Sequence, residues 1–415
     1  MPQLFQNSVN AEQIRGTISG SLRIVAATKL AELETHAPAW NDLAYRVARP
    51  MLSHAWIASF LEYQLEKKQS WICLLAYHDL ELVGVLPLMV ISIKVMGREY
   101  LKLQTPFNWH TPCVDFLIKP GLEDEVIHKF LTTIKEFSPR LHCLKIRRLL
   151  ASTSILNMAK DGLPGFSSLS RFNGNGSYIE VDGSFDEYRE GLKRGFVRNL
   201  NRLERKLGRL GGSQIEFISE NAGNPEYLQT FLEIEESCWK GRNGSAIGQC
   251  SSQLAFYTAL TCRLACLGWL EWHFLKASGK TIAANLAIRM DHRLVVLKIA
   301  YDETFSSYSP GTKLFEKMIQ HAFDIDEISE IDCLSEYPWN RNWRMQTRPY
   351  YDLSIYPSRL TNLLFGYIPE KIYYSICHLP FLNYSCHICG RMISRFKTGP
   401  DPQNRTCCLN KKTKS

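Results

Sequence analysis

The 415-residue chain has no run of roughly 18 uncharged apolar residues, the length a helix needs to cross a bilayer. Its opening stretch, Met1 to Gly20, is polar and lacks the apolar centre of a secretory leader. These absences argue against membrane-spanning and secreted classes, so the expectation is a cytoplasmic protein, at most peripheral at the inner membrane face. A second C-x-x-C pair is also lacking, because Cys386-His387-Ile388-Cys389 is followed only by the adjacent Cys407-Cys408. Neighbouring cysteines do not share one tetrahedral ion comfortably. No metal is expected; the tail thiols read as unpaired, with zinc as the alternative.

What is present is an ordinary globular balance, 45% hydrophobic and 22% charged, in a chain too long for one typical domain. Two domains and a tail are expected. Eight of the 13 cysteines, Cys73 to Cys333, are scattered through apolar segments and read as reduced thiols in the core. The net charge of +8 is concentrated in residues 189–210 and 361–415, each with eight Lys or Arg against two acidic residues. The remainder is slightly acidic.

Residues 294–301, Leu-Val-Val-Leu-Lys-Ile-Ala-Tyr, are rich in β-branched residues and apolar on both faces for most of their length. That is the pattern of a central strand, ended by Asp302. A loop closing on Ser309-Pro310-Gly311-Thr312 then opens into a helix with Leu314, Phe315, Met318, Ile319, Ala322 and Phe323 on one face. Lys313, Glu316, Lys317 and Gln320 fall on its water side. Gly311 has no Cβ, so a ligand can approach its backbone, and the N–H groups of a first helical turn favour an anion such as a pyrophosphate. The alternative is that Pro310-Gly311 is loop punctuation alone.

Residues 73–88 read as a β-hairpin, and the same shape returns over 274–286. Lys119-Pro120-Gly121 and a helical stretch from Glu123 to Phe137 follow the first hairpin, as Ser309-Pro310-Gly311 and its helix follow the second. Two such units in one order predict a duplicated α/β (α+β) domain. The first spans 20–165 and the second 175–358, with a basic, cysteine-containing tail over 359–415. Gly162-Leu163-Pro164-Gly165 and Asn173-Gly174-Asn175-Gly176 mark the breaks.

Within 189–210, Phe196, Leu200, Leu203, Leu207 and Leu210 share one side of a helix, while Arg194, Arg198, Arg202, Arg205 and Arg209 lie nearly opposite. Gly211-Gly212 is the expected stop. Like charges four apart repel, which suggests an anion along this face; a solvated or ion-paired face is the alternative. No aromatic interleaving and no recognised binding motif accompany the arginines, so specific DNA binding is not expected.

Arg198-Asn199-Leu200 through Lys206-Leu207, Phe231-Leu232, Cys238-Trp239, Phe256-Tyr257, Leu270, Gly279-Lys280-Thr281-Ile282-Ala283, Tyr301-Asp302 and Ser309-Pro310-Gly311 together resemble the GNAT-superfamily acyltransferases of the cellulose and exopolysaccharide biosynthesis type. Those are tandem-GNAT proteins similar to the Fem-type aminoacyltransferases of peptidoglycan synthesis. The resemblance covers residues 190–345, is looser over 20–165 and does not reach the tail. It implies tandem GNAT-like domains, each a mixed, mostly antiparallel sheet flanked by helices. It also implies that Ser309, Gly311, Thr312 and Lys313 hold the pyrophosphate of acetyl-CoA or another acyl-CoA, and that the acyl group passes directly to an amine. After the last strand the family pattern is Gly-Asp-x-x-Tyr-Lys-x-x-Trp; here Ser335, Glu336, Trp339 and Asn340 stand in its first four defined places and Trp343 is unchanged.

Direct transfer needs a group to take the ammonium proton, donors for the thioester oxyanion and a proton for the leaving thiolate. Glu336 is the candidate base or ammonium ligand, since a carboxylate in a partly buried cleft can have a raised pKa; the alternative is a surface Glu at a strand end. Tyr301 is the candidate proton donor, or else a core ring. Arg198, Arg202, Trp239, Tyr257 and Trp339 are candidate acceptor contacts, with a core role as the alternative for Trp239 and Tyr257. Asp332 and Arg341 are further candidates for the cleft.

The reading is an acyl-CoA-dependent N-acyltransferase, an acetyltransferase, acting on an amino group of an envelope, polysaccharide or related precursor. One alternative is a Fem-type transferase using aminoacyl-tRNA, whose phosphates the basic helix would contact with steep salt dependence. Another is a GNAT scaffold in a polysaccharide system that has lost catalysis. Leu363 to Leu382 is aromatic and apolar, interrupted by Glu370, Lys371 and His378, before the chain turns basic. That suggests peripheral contact with an anionic membrane surface, with disorder after Thr398 as the alternative.

Overall fold

The structure, a computed structural model, describes residues 22–66, 69–137, 139–210 and 213–377. Gly211, Gly212 and the tail's His378, Cys386, His387, Cys389, Cys407 and Cys408 lie outside the described residues. The first elements are β1 (Leu22–Ala27), α1 (Leu30–Glu34), α2 (Ala37–Arg46), α3 (His54–Tyr63), β2 (Ser70–His78), β3 (Glu81–Val95), β4 (Arg98–Gln104), β5 (Leu117–Ile118), α4 (Glu123–Phe137), β6 (Leu141–Leu150), α5 (Ser154–Asp161) and β7 (Phe166–Glu180). Then come α6 (Phe185–Glu190), α7 (Arg194–Gly208), β8 (Ser213–Ile218), α8 (Pro225–Ser237), α9 (Trp239–Arg242), α10 (Ser251–Cys266), β9 (Leu270–Ala277), β10 (Lys280–Met290), β11 (Arg293–Tyr301) and α11 (Pro310–Phe323). The last are β12 (Glu330–Asp332), β13 (Gln346–Pro357), α12 (Leu360–Asn362) and α13 (Ile368–Cys377).

The chain divides into two compact units, the first holding residues 65–173 and the second 174–349, with residues 44–64 belonging to the second. In the first unit the strands run β1-β2-β3-β4-β6-β13, antiparallel except for the parallel pair β4–β6. The expected hairpin is β2–β3, turning at Asp79 with φ 53°. Helix α4 follows Lys119-Pro120-Gly121 and buries Val126, Ile127, Phe130 and Ile134 in one cluster with Leu74, Val83 and Leu86. Each large apolar side chain so buried contributes about 1.5–3 kcal/mol.

The last helical segment of this unit packs against its sheet. Pro369 lacks an N–H and would clash with the carbonyl four residues back in a regular helix. The chain meets this with a π-helical turn, Leu363–Tyr367, just before α13. Gly366 sits so close to Tyr356 and His142 that a Cβ there would collide with both.

In the second unit the order is β7-β12-β11-β10-β9-β8, antiparallel within its own ladders except for the parallel pair β11–β12. The predicted central strand, hairpin and helix are β11, β9–β10 and α11. Each unit thus has the same progression of hairpin, Pro-Gly, helix and parallel strand, a repeated architecture of mixed, mostly antiparallel sheets flanked by helices. On one side of the second sheet α11 buries Leu314, Phe315, Met318, Ile319 and Ala322, the predicted face. On the other, Phe231 of α8 packs its ring 6.0 Å from that of Trp272 on β9.

Two sequence expectations are corrected here. Lys313 and Glu316 are buried rather than on the water side of α11. The buried leucines of α7, Leu200, Leu203 and Leu207, pack α7 into the same side of the unit, so α11 is covered on a second flank. The enclosed charges are matched: Lys313 Nζ bonds to Glu316 Oε2 at 2.6 Å and to Glu204, and Arg189 Nε meets Glu316 Oε1 at 3.1 Å. The cysteines also divide: the eight from Cys73 to Cys333 are unpaired as expected, and Cys73, Cys113, Cys143 and Cys238 are buried, but Cys262 and Cys266 are exposed on α10.

Candidate active site

The sheet of the second unit opens beside β11. This strand pairs with β10 along most of its length but with β12 only from Arg293 to Val295. Since β12 ends at Asp332, the β12-facing edge of β11 beyond Val295 has no strand partner among the described residues. Main-chain groups so exposed need another partner.

The register between β10 and β11 shifts at Leu286/Ala287, whose partners are Lys298 and Val296. Leu297 is therefore one residue too many, a β-bulge, and the alternation of side chains reverses across it. Leu294 and Val296 pack with Phe315 and Met318 of α11; beyond the bulge Ile299 joins that cluster and Tyr301 packs with Leu314. Lys298 is thereby turned to the opposite face, where its ammonium lies 5.7 Å from the ring centroid of Tyr257 on α10.

Lys298 keeps part of its residue surface accessible, yet makes no hydrogen bond or ion pair among the described residues. Burial, followed by the nearby positive charge of Lys240 and opposed by Glu235, pushes its pKa down to about 8. Lys240 itself is committed, donating to Glu235 Oε1 at 2.8 Å and to the Ile299 carbonyl at 3.2 Å. The other Glu235 oxygen accepts from Ile247 N–H at 2.8 Å. Lys298 was not among the sequence candidates. Its signal was a single cation within an otherwise apolar central strand.

At the far end of β11, Asp302 holds the loop, accepting from the Thr304 N–H at 3.0 Å, the Thr304 hydroxyl at 2.6 Å and Lys280 Nζ at 2.7 Å. Burial alone would raise its pKa; these bonds outweigh burial and lower it. Lys206 of α7 donates to the Ser307 carbonyl at 2.8 Å and lies over the Tyr308 ring. Ser309 adopts a left-handed conformation, φ 48° and ψ 53°, which turns the chain into α11. Pro310 has no N–H, and the first helical bond is from Lys313 N–H to the Ser309 carbonyl. The N–H groups of Gly311 and Thr312 consequently have no partner among the described residues. Beneath them lies Tyr301: a Cβ on Gly311 would stand 3.2 Å from its ring.

The matching helix start in the first unit is closed to anions. There the Gly121 N–H donates to Glu123 Oε2 at 2.8 Å, and the first turn carries Glu123, Asp124 and Glu125. Carboxylates satisfy the N-terminal donors and complement the helix dipole.

The remaining candidates are placed as follows. Glu336 is exposed, the surface alternative rather than the partly buried cleft; it accepts from Asn175 Nδ2 at 2.9 Å. Its stretch follows the end of β12, and the Glu336 N–H donates to the Asn175 carbonyl. Asp332 is buried, and burial raises its pKa against the lowering effect of Arg348. Trp339 stands edge-on to Phe315, ring centroids 5.0 Å apart. Tyr257 is buried, whereas Trp239 is 49% exposed, its backbone N–H donating to Glu303 Oε1. Arg198, Arg202 and Arg341 are exposed, and Arg202 Nη2 donates to Asn199 Oδ1 at 2.8 Å. The structure thus brings Tyr301 against Gly311 and Lys298 against Tyr257. No hydrogen bond or ion pair among the described residues joins Glu336, Arg198 or Arg202 to either pair. No group of three or more His, Cys, Asp or Glu among the described residues is arranged to hold a metal ion.

In the second unit β11 thus parts from its parallel neighbour and feeds a helix whose first-turn donors are open. Residues 194–341 match the family model described as acetyltransferase (GNAT) domain. Among solved structures the chain is similar to FemX, with 12% identity, a TM-score of 0.51, and coverage of 75% of this chain and 93% of that one. It is also similar to the C-terminal domain of a putative lysylphosphatidylglycerol synthetase from Agrobacterium fabrum, with 10% identity, a TM-score of 0.50, and coverage of 83% and 97%. At these identities the likeness is one of fold. No curated protein matches the chain.

Proposed function

We propose that the second unit is an acyl-CoA-dependent N-acyltransferase, an acetyltransferase, that acts on an amino group of an envelope, polysaccharide or related small-molecule precursor. The observation that carries this reading is the start of α11, where the Gly311 and Thr312 N–H groups lie open above Tyr301. A helix start with open donors suits a pyrophosphate, with the Ser309 turn shaping the loop. The ammonium of Lys313 is engaged by carboxylates, so the backbone does this work. The edge of β11 that lacks a strand partner among the described residues, where the Ile299 carbonyl is held by Lys240, suits the amides of a pantetheine arm, which would add to it as a strand does.

In this reading the amine nitrogen attacks the thioester carbonyl, a C–N bond forms, and collapse of the tetrahedral intermediate breaks the C–S bond. Lys298, neutral above its lowered pKa, takes the proton from the acceptor ammonium. The second proton, which the nitrogen loses as the amide forms, passes to the thiolate, with Tyr301 relaying it. Glu336 binds the incoming ammonium, and Arg198, Arg202, Trp239 and Trp339 contact an anionic acceptor, with Tyr257 supporting Lys298. The test is calorimetric titration of acetyl-CoA and free CoA into the full chain and into Gly311→Asp. Micromolar binding lost in the variant, with its fold intact, is expected; no binding by the folded wild type overturns the reading.

A second reading, transfer from aminoacyl-tRNA, is favoured by the exposed arginines of α7 and the fold likeness to FemX. Binding of tRNA that weakens steeply with salt, in a protein blind to CoA, would assign it. If neither donor binds, the departures at Ser335, Glu336, Trp339 and Asn340 support the scaffold role.

A further inference from the structure

The helical segment from Leu360 to Cys377 is inverted. Asn362, Gly366, Glu370 and Tyr374 recur every four residues and form its inner side against β6 and β13. Asn362 Nδ2 donates to the Leu141 carbonyl at 3.0 Å. Glu370 accepts from Lys145 Nζ at 2.9 Å, Ser354 Oγ at 3.1 Å, Tyr374 hydroxyl at 2.8 Å and the Tyr356 hydroxyl. The outer side repeats with the same period but carries Leu360, Leu364, Ile368 and Ile372, joined by Phe365, all between 40 and 71% exposed.

A surface helix normally buries its apolar stripe and wets its polar one. Here the polar stripe is fully engaged inside, so rotating the segment to hide the leucines and isoleucines would strand Glu370 and Lys145. A contiguous apolar row held in water by such anchoring marks a docking surface.

We propose that this row docks on an anionic lipid surface, the segment lying in the plane of the interface. The charge around it argues for that occupant. The one acidic residue of the segment, Glu370, is turned inward and paired with Lys145, while Lys371 is exposed. The residues that follow, 378–415, contain seven Lys or Arg against Asp401 alone. Apolar side chains in the headgroup region and cations among anionic headgroups reinforce each other, the latter by about 1 kcal/mol per residue near the surface. A second copy docking row to row would bring the same cations together and work against itself. The proposal is independent of the acyl-transfer reading.

The test is co-sedimentation of the full chain with vesicles of phosphatidylcholine alone and of phosphatidylcholine mixed with phosphatidylglycerol, beside Leu364→Glu/Ile368→Glu/Ile372→Glu. All three positions are exposed, and an unchanged circular dichroism spectrum and melting temperature check the fold of the variant. Binding by the wild type to the anionic vesicles, reduced at least tenfold in the variant, is expected. Wild-type protein that stays in the supernatant, or a variant that binds as well as wild type, overturns the proposal. So does light scattering that finds a wild-type dimer made monomeric by the variant, which would assign the row to a second copy.

Discussion

The ring of Tyr301 lies under Gly311 with room for hydrogen and little more, 3.2 Å from where a Cβ would stand. The start of α11 is therefore seated on the last residue of β11. Gly311→Ala should push the two apart by a few tenths of an ångström. Alanine's better helix propensity, up to about 1 kcal/mol, offsets the crowding, so the melting temperature should hardly move. Affinity for CoA should nevertheless fall roughly three- to tenfold, because the open N–H groups shift with the helix start. Isothermal titration reads the affinity, and unchanged binding would detach Gly311 from the ligand.

Lys298 gives a pH signature with a definite sign. Its pKa is lowered from 10.5 to about 8, so between those values the unfolded chain binds more protons than the folded one. Stability contributed by this residue therefore rises as pH increases from about 8 toward 10.5 and is least below 8. Lys298→Met should stabilise the protein at neutral pH by up to about 3 kcal/mol and remove that rise from urea unfolding curves. In turnover assays the wild-type rate should climb through an inflection near pH 8. Lys298→Met and Lys298→Arg should both lose the inflection, since a guanidinium stays charged.

Where periodicity alone decided an element, the sequence was sufficient: the β-branched run became β11, the i, i+4 stripe became α11, and the two hairpins formed where alternation put them. What a single segment does not encode is what packs over it. Lys313 and Glu316 read as water-facing because α11 shows one apolar stripe, and only α7, arriving from a hundred residues earlier, buries them. Lys298 reads as one of a face shared with Val296 until a bulge at Leu297 turns it away, and bulges depend on the partner strand. Glu336 reads equally as a cleft or a surface carboxylate, because a motif fixes residue order and not the depth at which the chain runs.

A buried cluster on the same side of the sheet makes a separate test. Glu271 accepts from His273 Nε2 at 2.7 Å and lies 3.4 Å from His321 Nε2, whose ring stacks on Phe217 with centroids 3.9 Å apart. Burial would raise the Glu271 pKa, but the bonds from His273 and His321 prevail and hold it well below the usual carboxylate range. Its contribution is therefore present above about pH 4.5 and lost progressively as the pH falls below that. Glu271→Gln should cost on the order of 3 kcal/mol at neutral pH and flatten the acid side of the stability profile. Urea unfolding at neutral pH and at about pH 4 would show both.

Lys145 and Glu370 hold the terminal helix of the first unit. Burial opposes both charges, and each is sustained by the other: Glu370 is shifted down, chiefly by Lys145 and the tyrosine hydroxyls, and Lys145 is shifted up by Glu370. The pair therefore stabilises between the two shifted values, losing its effect as acid protonates Glu370 and as base deprotonates Lys145. Glu370→Gln leaves Lys145 buried without a counter-charge, a loss on the order of 3–5 kcal/mol if the helix stays docked. The cheaper response is for the segment to detach, since its outer side is largely exposed. Hydrogen exchange should then accelerate over residues 360–377 while the amides of β10 and β11 keep their protection. Replacing both partners, Lys145→Met with Glu370→Leu, should recover part of the stability and slow that exchange again, because an apolar pair needs no counter-charge. Equal acceleration throughout the chain in Glu370→Gln would mean that the pair supports global folding rather than this helix.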